Sequence, residues 1–311
     1  MKSIKIDNPL LCDPESGICE PPDTNYRPQE APSIKATDKP IRIIYFTDPI
    51  CSSCWGIEPQ LRKMKLEYGD LIDIEYHMGG LLPDWSYDSG GISQPSHVAS
   101  HWDEVSPKYD MPIDGDLWLE DPLDSSYPPS IAFKAAQLQC EKKAVRFLRR
   151  IREMVFLAKK NITHWEHLEQ AAAEVGLDTA KLKADYQGKA KELFQEDLSL
   201  KQQLGVRGFP TLFFADRNNQ QSKLYGVKPY PVFENNINKW IPHAPKKAYE
   251  KTAKALFDTY PSLTTREFAE LVNKPRDGAE AELTLLFEAG FLQKVDTKNG
   301  AMWIGKTMRY S

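Results

Sequence analysis

Two cysteines, Cys51 and Cys54, stand three positions apart in Asp48-Pro49-Ile50-Cys51-Ser52-Ser53-Cys54-Trp55, the spacing of a dithiol that can open and close a disulfide. An apolar run precedes them and a helical pattern follows, which is the context expected of a redox motif. Backbone N–H groups in the first turn of a helix lack partners, and with the helix dipole they favour an anion. A thiol held there ionises below its free pKa of about 8.5 and becomes a nucleophile toward disulfides. Cys51, N-terminal and expected to be the more exposed, is the expected attacker; Cys54, on nearly the same helix face, is the expected resolving thiol. Reduced core cysteines and two ligands of a structural zinc are the other readings of the pair. Asp48 can act as a proton acceptor for Cys54 if it is buried beneath the helix start, or it is an ordinary turn or N-cap residue before a proline.

The elements that must hold these thiols can be read on both sides of them. Residues 41–46 form a short apolar and aromatic run that reads as a strand, Pro49 can open a helix, and Leu61, Met64, Leu66 and Tyr68 recur on a roughly helical period. Ile72, Ile74 and Tyr76 alternate with Asp73, Glu75 and His77, so strand, helix and strand make a βαβ unit. Gly79-Gly80-Leu81-Leu82-Pro83 ends it, and a turn-rich region is expected to about Tyr109. Packed helices are expected over residues 131–139 and 144–160, the latter carrying Phe147, Leu148, Ile151, Met154, Val155 and Ala158 on one face. Thr163-His164-Trp165-Glu166 reads as a capping box that opens a further helix, which Gly176 can end. Strand patterns return at residues 211–215 and 224–227. Pro210 opens the first of these after Gly205 and Gly208; taken alone, such a proline is an ordinary edge residue that forfeits a ladder donor.

The chain has 311 residues, with 40 Lys and Arg against 44 Asp and Glu, a formal net charge of −4. That balance argues against nucleic acid or a membrane surface as partner. No apolar run approaches about 18 residues, and Met1-Lys2-Ser3-Ile4-Lys5-Ile6-Asp7 lacks the apolar core of a secretory signal, so a cytoplasmic protein without a membrane span is expected. Five cysteines are too few for a disulfide scaffold at this length, so the pair needs a chemical motive. Residues 1–36, rich in Pro, Asp, Glu and Ser, read as an extended N-terminal arm. Its Cys12 and Cys19 can close a small disulfide loop, serve as an accessory regulatory dithiol, join a metal site, or be plain exposed cysteines. His97 and His101 have a spacing that suits a metal but no evident third ligand; an ordinary helical or loop surface is expected there, and no metal site is assigned. Trp102, Trp118, Phe133 and Tyr127 can line an apolar substrate groove, though each is more readily a core residue. Cys140 stands alone at a helix end.

The dithiol with Trp55, the long helical block, Ser125-Ser126-Tyr127-Pro128 followed by Ala132-Phe133-Lys134-Ala135-Ala136, and Gly208-Phe209-Pro210-Thr211 together resemble the DsbA family of the thioredoxin superfamily. More narrowly, they resemble its cytoplasmic FrnE-like branch, as do Val98-Ala99-Ser100-His101-Trp102, Met111-Pro112-Ile113 and Leu117-Trp118-Leu119-Glu120-Asp121-Pro122. The resemblance implies an α/β thioredoxin fold over residues 37–243, with a large helical insertion at about 97–200. It places the nucleophile on Cys51, the resolving thiol on Cys54 and a cis proline on Pro210, with Phe209, Trp55 and Thr211 at the client. It implies a dithiol–disulfide oxidoreductase or isomerase that acts on disulfide-containing or thiol client proteins or on low-molecular-weight thiols, with no organic cofactor. Ser52-Ser53 departs from the Pro-His dipeptide of strongly oxidising periplasmic members. Without that imidazole donor, a highly oxidising potential is not expected. SpxH-type adaptors, which hand a transcription regulator to a protease, are similar too and supply the alternative: an adaptor or binding protein that presents a partner, with redox chemistry secondary.

Pro242-His243-Ala244-Pro245 marks a linker to a module at residues 246–311. Helices are expected over 246–259, from a cap at Thr264-Thr265-Arg266-Glu267 to about Asn273, and over 277–289, followed by strands at 292–295 and 302–304 around Asn299-Gly300. Three helices and a β-wing resemble a winged-helix module. Its third helix carries Glu280, Glu282 and Glu288 and no Lys or Arg between Asp277 and Gln293, whereas a major-groove reader needs cations. Docking, a homodimer contact or packing on the first domain is expected instead, with Phe287, Phe291 and Trp303 as the module's own core. A zinc protein ligated by Cys12, Cys19, Cys51 and Cys54 is a further reading, which requires the arm to fold back onto the dithiol.

Overall fold

Two short strands, β1 (Cys12–Asp13) and β2 (Ile18–Cys19), pair antiparallel near the N-terminus with Cys12 opposite Cys19 in register. The computed structural model describes residues 12–13, 18–19, 38–86, 94–218 and 220–306, and the side chains of Cys12 and Cys19 lie outside that description.

The main sheet grows from β3 (Ile41–Thr47), in which every residue is buried, as a strand covered on both faces must be. After it come α1 (Ser52–Gly56) and α2 (Glu58–Tyr68), separated at Ile57, with Pro59 in the first turn of α2, where no N–H is needed. Strand β4 (Ile72–Met78) then runs parallel to β3 with Ile72 opposite Ile41, which completes the expected βαβ unit.

A helical block follows: α3 (Pro95–Tyr109), α4 (Leu117–Glu120), α5 (Tyr127–Gln139), α6 (Glu141–Leu157), α7 (Trp165–Glu174), α8 (Thr179–Gln187) and α9 (Lys189–Gln203). Strands β5 (Thr211–Ala215) and β6 (Gln221–Tyr225) and helix α10 (Tyr230–Trp240) close the domain. The sheet order is β4-β3-β5-β6, with β5 antiparallel to both its neighbours, so the block is an insertion between two halves of one sheet.

The helical block begins at Pro95, close to the start at about 97 that the resemblance implies and well before the end of the region read as turn-rich. Residues 95–109, expected to be turn-rich, are helical because Pro95 sits in the first turn and Val98, Trp102, Val105 and Tyr109 give one buried face. The capping box expected at Thr163 is not formed. His164 is the N-cap residue of α7, and the Thr163 hydroxyl donates to Asn161 Oδ1 (2.6 Å) instead. Trp102, Trp118 and Phe133 are core residues, while Tyr127 is half-buried, edge-on to Phe194.

Beyond α10 the chain runs along α2. Lys247 N donates to Glu67 O (2.7 Å), and Lys246 pairs with Glu67 and Glu234. These contacts hold residues 246–251 out of the helix expected there. Helix α11 (Ala253–Thr259) begins only after Thr252, whose hydroxyl accepts from Ala255 N. Strand β7 (Ser262–Thr264), helices α12 (Thr265–Val272) and α13 (Arg276–Glu288), and the hairpin β8 (Leu292–Thr297) and β9 (Gly300–Gly305) complete the module. Its antiparallel sheet has the order β7-β9-β8; β7 is too short to show an alternating pattern in sequence. The cap at Thr264 is a full capping box: Thr264 Oγ1 accepts from Glu267 N, and Glu267 accepts from Thr264 N.

Trp303 is buried in the module core, but Phe287 and Phe291, expected to join it, are 43% and 46% exposed. Phe287, in the last turn of α13, meets Trp303 only edge-on at 6.4 Å, and Phe291 lies just past the helix end, beyond Ala279 and Leu283 through which α13 is buried. The module is fastened to the first domain. Lys298, at the hairpin tip, reaches Asp103 and Asp116, and Asn299 Nδ2 donates to Ile113 O (2.7 Å). Arg62 Nη1 donates to Ser262 O (2.7 Å), and Lys63 pairs with Glu270 (3.0 Å). Among the described residues, no helix is long and apolar enough to cross a membrane.

Candidate redox site

Cys51 is the N-cap residue of α1, in extended conformation, and its Sγ accepts from Cys54 N at 3.1 Å. The expected helix N-terminus is therefore in place, and Cys51 and Cys54 are joined as a disulfide. The expected exposure is not: both cysteines are 0% exposed.

Enclosure follows from what packs on α1, all of whose residues are buried. Ser53 Oγ bonds the Tyr109 hydroxyl (2.9 Å), and the Tyr109 ring lies directly against Gly56, where an added Cβ would come within 2.9 Å of it. Trp55 was expected at the client. Instead it donates from Nε1 to Pro112 O (3.1 Å), stacks on Phe156 and carries the Arg149 guanidinium over its ring at 4.3 Å. The roof of the dithiol thus comes from the insertion, with α12 behind it: Arg149 forks onto Glu267 at 2.8 and 3.0 Å.

Beneath the cysteine loop sits Asp48, fully buried. Its carboxylate accepts from Ile50 N (3.1 Å), Leu81 N (2.8 Å) and Ser126 Oγ (2.9 Å), and its carbonyl accepts from Cys51 N (3.3 Å). Burial pushes its pKa up to about 6, against the downward pull of those hydrogen bonds and of Arg152. A carboxyl in that range can hold or release a proton near neutral pH, as a proton acceptor for a thiol requires. Arg152, also fully buried, donates to Thr47 Oγ1 (2.5 Å) and to the Asp48 carbonyl (3.1 Å), and pairs with Glu58 (2.7 Å). Burial alone raises Glu58, but Arg152, Arg149 and Arg62 together hold it below its ordinary value.

The Phe209–Pro210 peptide bond is cis, and Pro210 O accepts from Gly226 N (3.0 Å). Phe209 is buried with its ring against Gly79, where an added Cβ would lie 1.9 Å from the ring. Lys201 lies over the same ring at 5.4 Å and donates to Gly79 O (3.0 Å). Burial lowers the Lys201 pKa, partly offset by the attraction of Asp48. Thr211, expected beside a client, is buried and donates to Gly208 O (2.7 Å).

The structure therefore gathers Asp48, Cys51 and Cys54 around the start of α1 and holds Phe209 and Pro210 on the loop before β5, while Trp55 and Thr211 point inward. Arg149, Arg152, Lys201 and Tyr109 were not singled out from sequence, and Ser126 was quoted only within the resemblance motif. The readable signal for two of them was an arginine pair, Arg149 and Arg152, three residues apart on a helix with a strong apolar face. His101 is buried rather than a surface residue, and burial lowers its pKa to about 4. Among the described residues no three His, Cys, Asp or Glu side chains gather to hold a metal, and a disulfide leaves Cys51 and Cys54 no thiolates to offer one.

A family model described as thioredoxin matches residues 45–235. The ClpXP adapter protein SpxH of Halalkalibacterium halodurans is 33% identical over 303 residues, spanning 96% of this chain and 97% of its own. A putative protein disulfide isomerase from Nitrosomonas europaea superposes with a TM-score of 0.58 at 19% identity, covering 66% of this chain and 98% of that one. The cytosolic disulfide reductase DsbM of Pseudomonas aeruginosa does so with 0.50 at 22% identity, covering 64% and 94%. At these identities the two solved structures speak to the fold of the first domain.

Proposed function

We propose that this chain, which belongs to the DsbA-like thioredoxin family shared with the SpxH adapters, is a cytoplasmic client-binding adaptor whose Cys51–Cys54 pair carries out thiol–disulfide exchange. The likeness to SpxH from end to end carries this reading, because it includes the C-terminal module as well as the thioredoxin domain. Enclosure of both sulfurs supports it, since an enzyme turning over many disulfides needs an open nucleophile, whereas a binding protein does not. The client would be presented to a protease of the ClpXP kind, and the C-terminal module, in the winged-helix-like reading of its helix-strand-helix-helix-strand-strand order, would be a protein-docking unit.

The exchange chemistry follows from the site once the roof that Tyr109, Pro112 and Phe156 form over α1 has moved. In the reduced protein the Cys51 thiolate attacks a client disulfide, forms a mixed disulfide and releases one client thiolate. Cys54 gives its proton to the Asp48 carboxylate, attacks Cys51 Sγ and releases the second client thiolate, leaving the Cys51–Cys54 disulfide. Two electrons pass to the client, and the reverse sequence oxidises a client dithiol. Pro210 would keep an extended client in reach, with the Phe209 backbone beside it.

A second reading, a dithiol–disulfide oxidoreductase in its own right, is favoured by the Cys51–Cys54 pair at a helix N-terminus. Two variants separate the readings. Clients that still co-purify with a Cys51→Ser, Cys54→Ser double variant support the adaptor; loss of every client in that variant sinks it. Cys54→Ser should trap a client through Cys51 as a complex released by reductant, and failure to trap any would remove the exchange step. Equilibration against a glutathione series then gives the direction of flux.

A further inference from the structure

A concavity borders the redox helix, away from the sulfurs. It measures about 340 Å³, within the range of roughly 300–1,000 Å³ typical of ligand sites. Its walls come from both domains: Gln60 of α2, Lys108 at the end of α3, Val227, Lys228 and Pro229 after β6, and Arg266 of α12.

Two of the three cations on its rim are engaged, Lys108 with Glu104 (2.6 Å) and Arg266 with Glu270 (3.0 Å). The Lys228 ammonium makes no ion pair or hydrogen bond among the described residues. The one carboxylate in the wall, Asp110, is taken by Arg276 (2.7 Å). The uncommitted charge of the groove is therefore positive. Gln60, only 4% exposed, donates from Nε2 to Lys228 O (3.2 Å), which ties the loop to α2, while its Oε1 has no donor among the described residues. A buried acceptor left open is unfavourable, and an incoming N–H would relieve it.

The geometry points to a docking groove for an acidic, extended peptide segment of a client protein. A carboxylate would meet Lys228, a backbone N–H would meet Gln60, and an apolar side chain would lie on Val227 and Pro229. An inorganic anion would leave the Gln60 acceptor open, and a basic segment would face an unshielded ammonium. This assignment names the chemistry of the client and rests on the client-binding reading above.

The test is fluorescence anisotropy of the oxidised full-length protein with two labelled heptapeptides, one rich in Glu and Asp around a single Phe, the other its Gln and Asn counterpart. The acidic peptide is expected to bind at least about tenfold more tightly, an advantage that shrinks as salt rises. Lys228→Glu should abolish the preference and Lys228→Gln should reduce it, with unchanged circular dichroism showing that both variants are folded. Equal binding of the two peptides, or a preference that both variants retain, overturns the assignment. Trapping by Cys54→Ser is read in parallel. Preference intact with trapping lost supports the groove and sinks only the exchange step; preference lost with trapping intact sinks the groove alone.

Discussion

Arg149 and Glu267 form a forked ion pair across the two domains, with the arginine's other face on the ring of Trp55, next to Cys54 in sequence. Glu267 is 0% exposed, also pairs with Arg62 (3.2 Å), and closes the capping box of α12. The dithiol helix and the C-terminal module are thus held by the same guanidinium.

Removing one partner of a buried pair leaves the other charge uncompensated, at a loss of roughly 3–5 kcal/mol. Arg149→Met should lose that much in urea unfolding. Arg149→Lys should recover little of it, because an ammonium can neither fork onto a carboxylate nor stack on an indole. A lysine variant as stable as the parent would show that the charge alone matters.

Asp48 and His101 should pull stability in opposite directions over nearly the same pH window. The folded state raises Asp48 from 3.8 to about 6, so the stability it contributes is full below pH 4 and is lost as pH rises through 6. His101 is lowered from 6.5 to about 4, so its contribution is full above pH 6.5 and is lost as pH falls toward 4. Each displacement is worth about 3 kcal/mol, so the two contributions nearly cancel. Denaturant midpoints taken between pH 4 and 6.5 should rise with pH in Asp48→Asn and fall with pH in His101→Gln, relative to the parent. Parallel profiles in all three proteins would refute both assignments.

Besides Arg152, which pulls the Asp48 carboxyl down, Lys201 is coupled to Asp48 through the mutual attraction of their charges. Lys201→Met should therefore move the Asp48 titration upward from about 6, followed by the carboxyl signal in infrared difference spectra. A titration that stays put would show that the lysine serves only to pack Phe209.

Gly79→Ala tests the contact that seats the cis-proline loop. The new methyl would fall 1.9 Å from the Phe209 ring, which is itself buried and has nowhere open to turn. Overpacking of that kind costs about 1–3 kcal/mol, so the melting temperature should drop and exchange through Cys51 should slow with it. Unchanged melting would mean that the loop relaxes freely.

Much of this site was legible in the chain because it is built locally. Cys51, Cys54 and the strand before them share one short stretch, and period-2 and helical patterns marked β3, α2 and β4 without outside help. Pro210 became informative only beside the dithiol and the family resemblance. What stayed hidden was made by distant residues. Tyr109, Pro112, Arg149 and Phe156 close over α1 from the insertion, and nothing in the Cys51–Trp55 stretch announces a roof. Residues 246–251 likewise carry a helical pattern that tertiary contacts with Glu67 and Glu234 override. Phe287 and Phe291 misled for the opposite reason: aromatic type suggests interior, but their place past the buried stretch of α13 puts them outside.

Sulfurs that solvent does not touch change oxidation state only in the fraction of time that the fold spends ajar. The interval between openings then sets the clock, and bursts of oxidant or reductant shorter than that interval pass unrecorded. In the proposed exchange, such a pair would follow the sustained thiol balance of its surroundings, as a slow integrator would.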